Sequence, residues 1–453
     1  MSPSAEPLPT PVARPFFSAV TAFRSGEDSP RAFLDRCLES VDEFEPTVGA
    51  FVHMDVKAAE QAADLASRRW RDGKPLSPID GMPVGIKDII ETADMPTQCG
   101  SPYFEGHRSG RDSASVMALR QAGAVILGKT VTTEFAGPSP LGDTRNPWDP
   151  RRTPGGSSSG SAAAVACGMV TAALGTQVIG SMVRPASYCG VVAFKGTVGS
   201  INRGGSHDGL SQSVHGPLAA SLEDAWLVAR TIADRVGGDP GYPGLFGPAD
   251  PPDPAKPRKV AVLRTAGWPV ADAGARRAFE SAIERLASAG VEIATAESLP
   301  LVAEVEDAIL SAGEVSLGIV GYETIWPLGA YRELDRSKLS KTASDRLDAA
   351  QAMTLDDYRT LLAQRERVRA VFAGLAPECD AALTLSATGP APLGIEWTGD
   401  TVFNTPASLL GVPALNLPVL SVDGLPLGLQ AIGFADRDSD LLGTGRWLIG
   451  ALA

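Results

Sequence analysis

Histidine is scarce in this chain: four occur in 453 residues, at positions 53, 107, 207 and 215, and no pair has the H-E-x-x-H spacing of a helical zinc site. Cysteine is scarce too. There are five, Cys37, Cys99, Cys167, Cys189 and Cys379, an odd number without a C-x-x-C pair. Reduced thiols are expected, not a disulfide framework or a zinc site, so no metal ligand is predicted. Basic residues are outnumbered: 40 Lys and Arg against 53 Asp and Glu leave a net charge of −13. An acidic surface argues against nucleic acid and anionic membranes as partners. The N-terminus, Met1-Ser2-Pro3-Ser4-Ala5-Glu6-Pro7, lacks the basic and apolar regions of a signal peptide, which points to a cytoplasmic protein.

What the chain has is apolar substance, 44% of residues, enough for a large core. One uncharged run, Ala162–Val183, has spanning length but contains Gly168, Thr171, Gly175, Thr176, Gln177, Gly180 and Ser181. It reads as a buried helix followed by a buried strand, not a membrane span. Residues 1–15 are Pro-rich and read as extended. Amphipathic helices are predicted near 29–45 and 54–72, then strand Met82–Ile86, helix Ser113–Gln121, strand Ala124–Leu127, helix Ser159–Met169 and strand Val191–Phe194. Ser159 and Ser161 are natural N-caps for the helix that begins there, and Ser221 caps a helix to Asp234. Seven prolines and five glycines make 236–257 a loop. Strand Val260–Leu263, helix Ala275–Ala289 and strand Val291–Ala294 follow, then a mostly helical stretch over 301–375. Strands Ala414–Leu417 and Leu427–Ile432 and a helix from Ser439 close the chain. Interleaved strands and helices imply an α/β class, with a mostly buried central sheet.

Two motif matches are decoys. Gly123-Ala124-Val125-Ile126-Leu127-Gly128-Lys129-Thr130 fits the phosphate-loop pattern, but its middle residues make a strand, not a flexible turn. Gly156-Ser157-Ser158-Ser159-Gly160 fits G-x-S-x-G, but the loop Asp149–Pro154 stands where a nucleophile elbow needs a strand. Two other features carry chemistry. Lys87 follows the apolar run Met82–Ile86; such a lysine either snorkels to water or is desolvated into a neutral base. Two serine-bearing turns, Gly155–Ser161 and Thr176–Val183, flank a buried element and so can bring two hydroxyls to one point.

The runs Asp80-Gly81-Met82-Pro83-Val84-Gly85-Ile86-Lys87-Asp88, Thr133-Glu134-Phe135-Ala136, Thr144-Arg145-Asn146-Pro147-Trp148 and Gly155-Gly156-Ser157-Ser158-Ser159-Gly160-Ser161-Ala162-Ala163-Ala164-Val165-Ala166 closely resemble the amidase signature family. The resemblance is dense over 78–220 and good over 403–442; residues 1–75 and 300–400 match only in being helical. It implies a single-domain α/β/α sandwich with a mixed sheet. Residues 1–75 would form an N-terminal extended segment and helices packed on a domain of 76–453, in which 301–402 is variable, helical and substrate-facing.

The resemblance also implies roles: Ser181 as nucleophile, Ser157 as bridging serine after a cis peptide bond, and Lys87 as base. Backbone N–H groups of Val178, Ile179, Gly180 and Ser181 would form the oxyanion hole, and Ala136 and Gly137 would bind substrate. No cofactor or metal is implied. The expected activity is cleavage of a C–N bond in a small-molecule amide, anilide or carbamate through an acyl-enzyme, by a monomer or homodimer. The family also contains aryl acylamidases, urethane-cleaving enzymes, allophanate hydrolases and the glutamine-hydrolysing subunit of tRNA amidotransferases, which is the alternative reading. The chain departs from the family's usual G-T-D-T-G-G-S-I-R: Gln177 replaces the acid, Ile179 a small residue, and the arginine moves to Arg184. Ile179 is expected to stiffen or reshape the turn. If Lys87 were structural, the base would fall to His207 or His215.

Overall fold

The computed structural model describes residues 8–138 and 142–453. Its core is one eleven-stranded sheet. In chain order the strands are β1 (Phe51–Met54), β2 (Pro83–Lys87), β3 (Val125–Thr130), β4 (Ala172–Gln177), β5 (Val192–Lys195), β6 (Val214–Ala219), β7 (Lys259–Val262), β8 (Glu292–Ala294), β9 (Ala381–Leu385), β10 (Ala414–Val422) and β11 (Leu425–Ile432). They lie in the order β1-β3-β2-β4-β6-β5-β10-β11-β9-β7-β8. The sheet is mixed: β2 is parallel to both β3 and β4, while β6 runs antiparallel to β4 and β5. This is the α/β/α sandwich expected.

Alternation along the strands sends side chains to both faces. Ala172 and Leu174 join one apolar cluster and Ala173 the other; Val192 and Phe194 oppose Ala193 in the same way. One face is covered along its length by helices Ala114–Gln121, Leu222–Val236, Ala273–Ser288 and Asp438–Leu452. The other carries two clusters: one around helices Pro30–Val48, Val56–Arg71 and Ser159–Ala166, the other around the helices of 300–373. With both faces covered, every residue of strands β2 to β6 is buried. No helix among the described residues is long and apolar enough to cross a membrane.

The uncharged run is a helix and a strand, as read, but the helix is shorter. It ends at Ala166, and Gly168, in the left-handed region at φ 68°, turns the chain towards β4. Neither Ser159 nor Ser161 caps it. Ser158 holds the cap position without a side-chain cap bond, Ser159 Oγ donates to Val131 O, and Ser161 Oγ bonds Thr130 Oγ1 and Leu174 O. These hydroxyls tie the helix to the sheet instead. Ser221 does cap its helix, accepting from Asp224 N. The phosphate-loop decoy is strand β3, with Lys129 fully buried against Asp88 at 3.1 Å. The 236–257 loop is as read, and residues 8–15 have no regular structure.

Strands β1, β6 and β9 are absent from the sequence reading. β6 contains Gly216-Pro217, a pair that disfavours a strand locally; Pro217 is paired with Leu174 of β4 but lies outside the β5 ladder, which takes only Leu218 and Ala219.

Candidate active site

Lys87 ends β2, an interior strand flanked by β3 and β4, with no solvent exposure. Its Nζ lies 2.8 Å from Ser157 Oγ and 2.8 Å from Thr176 Oγ1, the latter at the end of the neighbouring strand β4. Burial, opposed by the Asp208 carboxylate, lowers the lysine to about 7. A desolvated amine with two hydroxyl neighbours is the arrangement a neutral base needs, and snorkelling is excluded. Ser157 is buried and follows the cis peptide bond Gly156–Ser157.

The two serine turns are clamped together. Ser158 N donates to Ser181 O at 3.2 Å, and Ser158 Oγ bridges to the backbone of Thr176. The serine of the G-x-S-x-G match is therefore a brace. Ser181 itself is only half-buried.

The carbonyls of the Ser181 turn are held from behind. Val178 O accepts from Gln212 Nε2 at 2.9 Å, Ile179 O from Ser408 Oγ at 2.7 Å, and Gly180 O from Arg184 N at 3.2 Å. In a trans peptide the N–H of the next residue points the opposite way. The N–H groups of Ile179, Gly180 and Ser181 thus face away from these anchors. The expected Val178 N–H is opposed to Gln177 O and gains no such argument. Gly180 has no room for a side chain, because an added Cβ would meet Asn404 Oδ1 at 2.8 Å.

The departures from the family pattern have visible consequences. Gln177 Oε1 accepts from Met182 N at 2.9 Å and Val183 N at 3.0 Å, while Nε2 donates to Ser408 Oγ at 3.1 Å. An amide thus serves as acceptor for the turn where the usual residue is an acid. Ile179 has no positive φ, so the turn makes no demand at that position that only glycine could meet. Arg184 is buried; its Nη2 donates to Gly156 O at 2.6 Å and to Thr398 Oγ1 at 2.9 Å, and burial lowers its pKa to about 10.

Ala136 and Gly137 end a short turn of 3₁₀ helix, Glu134–Ala136, in which Phe135 and Ala136 have φ of 48° and 55°. Such strained backbone persists only where its surroundings hold it. Phe135 N donates to Cys99 O, and Cys99 N to Asp88 O, which ties the turn to the residue after Lys87. The helical region meets this turn: Tyr331 stacks on Phe135 at 5.1 Å and 15°, and Phe104 stands edge-on to both rings. Arg346 packs against Gly137, whose added Cβ would lie 2.6 Å from its Nη1.

Sequence reasoning missed Thr176, Gln212, Asn404, Ser408, Asp208 and the part played by Tyr331. Thr176 alone carried a local signal, at the head of the second serine turn.

The family model described as amidase matches residues 32–442. The chain belongs to the amidase signature family. It is 34% identical to a glutamyl-tRNA(Gln) amidotransferase subunit of Chloroflexus aggregans, over 94% of each chain. It is 31% identical to a fatty acid amide hydrolase of Arabidopsis thaliana, over 93% of this chain and 74% of that protein. A crystal structure of an amidase superposes with a TM-score of 0.82 at 30% identity, covering 97% of this chain and all of the other. Membership makes this an amide-acting enzyme of the C–N hydrolase type.

Proposed function

We propose that this enzyme hydrolyses the C–N bond of a small-molecule amide, anilide or carbamate through an acyl-enzyme on Ser181. The observation that carries the reading is the buried Lys87 Nζ at 2.8 Å from Ser157 Oγ, next to the turn that bears Ser181. Ser181 Oγ attacks the substrate carbonyl carbon, and the C=O electron pair moves to oxygen. The Ser181 proton passes to Ser157 Oγ, whose own proton moves to the lone pair of neutral Lys87. N–H groups of Ile179, Gly180 and Ser181 receive the oxyanion, each donor being worth about 3–4 kcal/mol in comparable sites. Collapse breaks the C–N bond, the proton returns from Lys87 through Ser157 to the leaving nitrogen, and water repeats the relay to release the acid. In this reading the helices Ile325–Asp335 and Lys341–Gln351 select the substrate, because Tyr331 and Arg346 cover the Glu134–Gly137 turn. The aromatic wall favours an apolar or planar substituent.

A second reading is a glutamine-hydrolysing subunit that delivers ammonia to a tRNA-modifying partner. The 34% identity to an amidotransferase subunit over nearly the full chain favours it. Product release from a panel of p-nitroanilides, aliphatic amides, aryl carbamates and glutamine decides between them. Turnover of anilides or carbamates by the chain alone supports the first reading; turnover of glutamine only, dependent on a co-purifying partner, supports the second.

A further inference from the structure

Beyond Thr176, on the neighbouring strand β6 and the loop before it, lie a buried imidazole and a buried acid that the relay does not use. Thr176, the second neighbour of Lys87 Nζ, is the register partner of His215 across β4 and β6. His215 is fully buried, and its Nε2 lies 3.7 Å from Asp208 Oδ1, an ion-pair contact longer than a hydrogen bond. Asp208 is also buried; its two oxygens accept from Ser206 Oγ at 2.7 Å and Ser213 Oγ at 2.5 Å. The segment is fixed beside Lys87: His207 N donates to Ile89 O, and Ser206 bridges to Ile90.

The hydrogen bonds assign the imidazole. Ser115 Oγ gives its single hydrogen to Asn202 O at 2.8 Å, so in its 3.3 Å contact with His215 Nδ1 the ring must be the donor. With Nδ1 turned to Ser115, the ring presents Nε2 to the Asp208 carboxylate oxygen across 3.7 Å. Charged groups near Lys87 and Asp208 along their own segments have partners of their own. Asp88 is held by Lys129 at 3.1 Å, Glu91 by Arg111 at 2.8 Å with His207 Nε2 at 3.8 Å, and Arg203 by Asp239 at 2.6 Å.

We propose that Asp208, balanced by His215, is a positioning residue that sets how firmly Lys87 holds the proton it receives from Ser157. The ammonium formed in the relay needs a counter-charge inside the protein, and Asp208 supplies it. His215 weakens that pull enough for Lys87 to rest neutral and return the proton to the leaving nitrogen. Two directions support this: the Asp208 carboxylate raises the lysine against its desolvation, and Asp208, despite burial, is held well below the usual carboxylate range by His215 and the two serine hydroxyls.

The inference rests on Lys87 being the base, and one experiment separates the two. The rate at which a fluorophosphonate probe labels Ser181 is measured against pH in the full chain. The wild-type rate should fall on the acid side as Lys87 protonates. Asp208→Asn should move that limb down by about one pH unit and lower the plateau, because the base is weaker. His215→Gln leaves the carboxylate unbalanced and should move the limb up by about one unit. Ser206→Ala, at a half-buried position that keeps the fold, removes one donor to Asp208 and should move it the same way by less. Should Asp208→Asn fail to fold, the latter two decide. Opposite shifts are not produced by general loosening. An unlabelled Lys87→Arg enzyme, together with unmoved limbs in the Asp208, His215 and Ser206 variants, overturns this inference alone. A Lys87→Arg enzyme labelled at the wild-type rate overturns the base assignment itself.

Discussion

Arg184 Nη2 donates to the carbonyl oxygen of Gly156 at 2.6 Å, so a buried guanidinium grips the peptide unit that delivers Ser157. The arginine has moved along the chain from its usual family position, and in its new place it reaches the other serine turn. Arg184→Met should leave Gly156 O without its donor and let Ser157 drift from Lys87. A hydrogen bond to a charged group is worth about 1.5–3 kcal/mol, which corresponds to roughly a 10–100-fold loss in kcat. Steady-state kinetics and a melting curve together check this: Arg184→Lys should recover part of the rate, and a fall in Tm without a fall in kcat would deny the positioning role.

Gln177 is a second such brace. Gln177→Ala leaves the N–H groups of Met182 and Val183 without their acceptor, at a cost of about 1–3 kcal/mol each if no water replaces it. Unfolding free energy and kcat should both fall. Gln177→Glu keeps the acceptor and loses only the bond to Ser408, so it should retain more of both. Equal losses in the two variants would show that the acceptor is not what matters.

Tyr331 stacks on Phe135, the residue before Ala136. If the helical region selects the substrate, Tyr331→Ala should raise KM for aryl amides more than it lowers kcat, and should narrow the preference between aryl and alkyl members of the panel. A uniform loss of kcat across the panel would instead assign the ring to holding the strained turn.

Most of the fold and of the candidate site was legible in local sequence. Lys87, Ser157 and Ser181 sit in short runs whose spacing survives in one dimension, and composition alone marks the apolar strand, read as Met82–Ile86 and found at Pro83–Lys87, and the small-residue helix, read as Ser159–Met169 and found at Ser159–Ala166. What was not legible depends on distant pairing. β6 is a strand because β4 and β5 flank it, although Gly216-Pro217 argues locally for a break. Ser408 and Asn404 reach the Ser181 turn from more than two hundred residues away, and no local pattern marks them. The clamp between Ser158 N and Ser181 O and the pair formed by Asp208 and His215 are likewise products of the folded sheet. The mis-assigned caps at Ser159 and Ser161 have the same cause: tertiary acceptors on Val131, Thr130 and Leu174 outcompete the local cap.

The most direct test of the account is the pH dependence of Ser181 acylation in wild type and Lys87→Arg, followed in the pre-steady state. Lys87 protonates as pH falls through about 7, and its protonated form has no lone pair to accept from Ser157. The account predicts a wild-type rate that rises through neutral pH to an alkaline plateau, and an arginine variant that loses several orders of magnitude at every pH, because a guanidinium does not deprotonate in this range. A Lys87→Arg enzyme that keeps most of its acylation rate with an unchanged pH profile would contradict it.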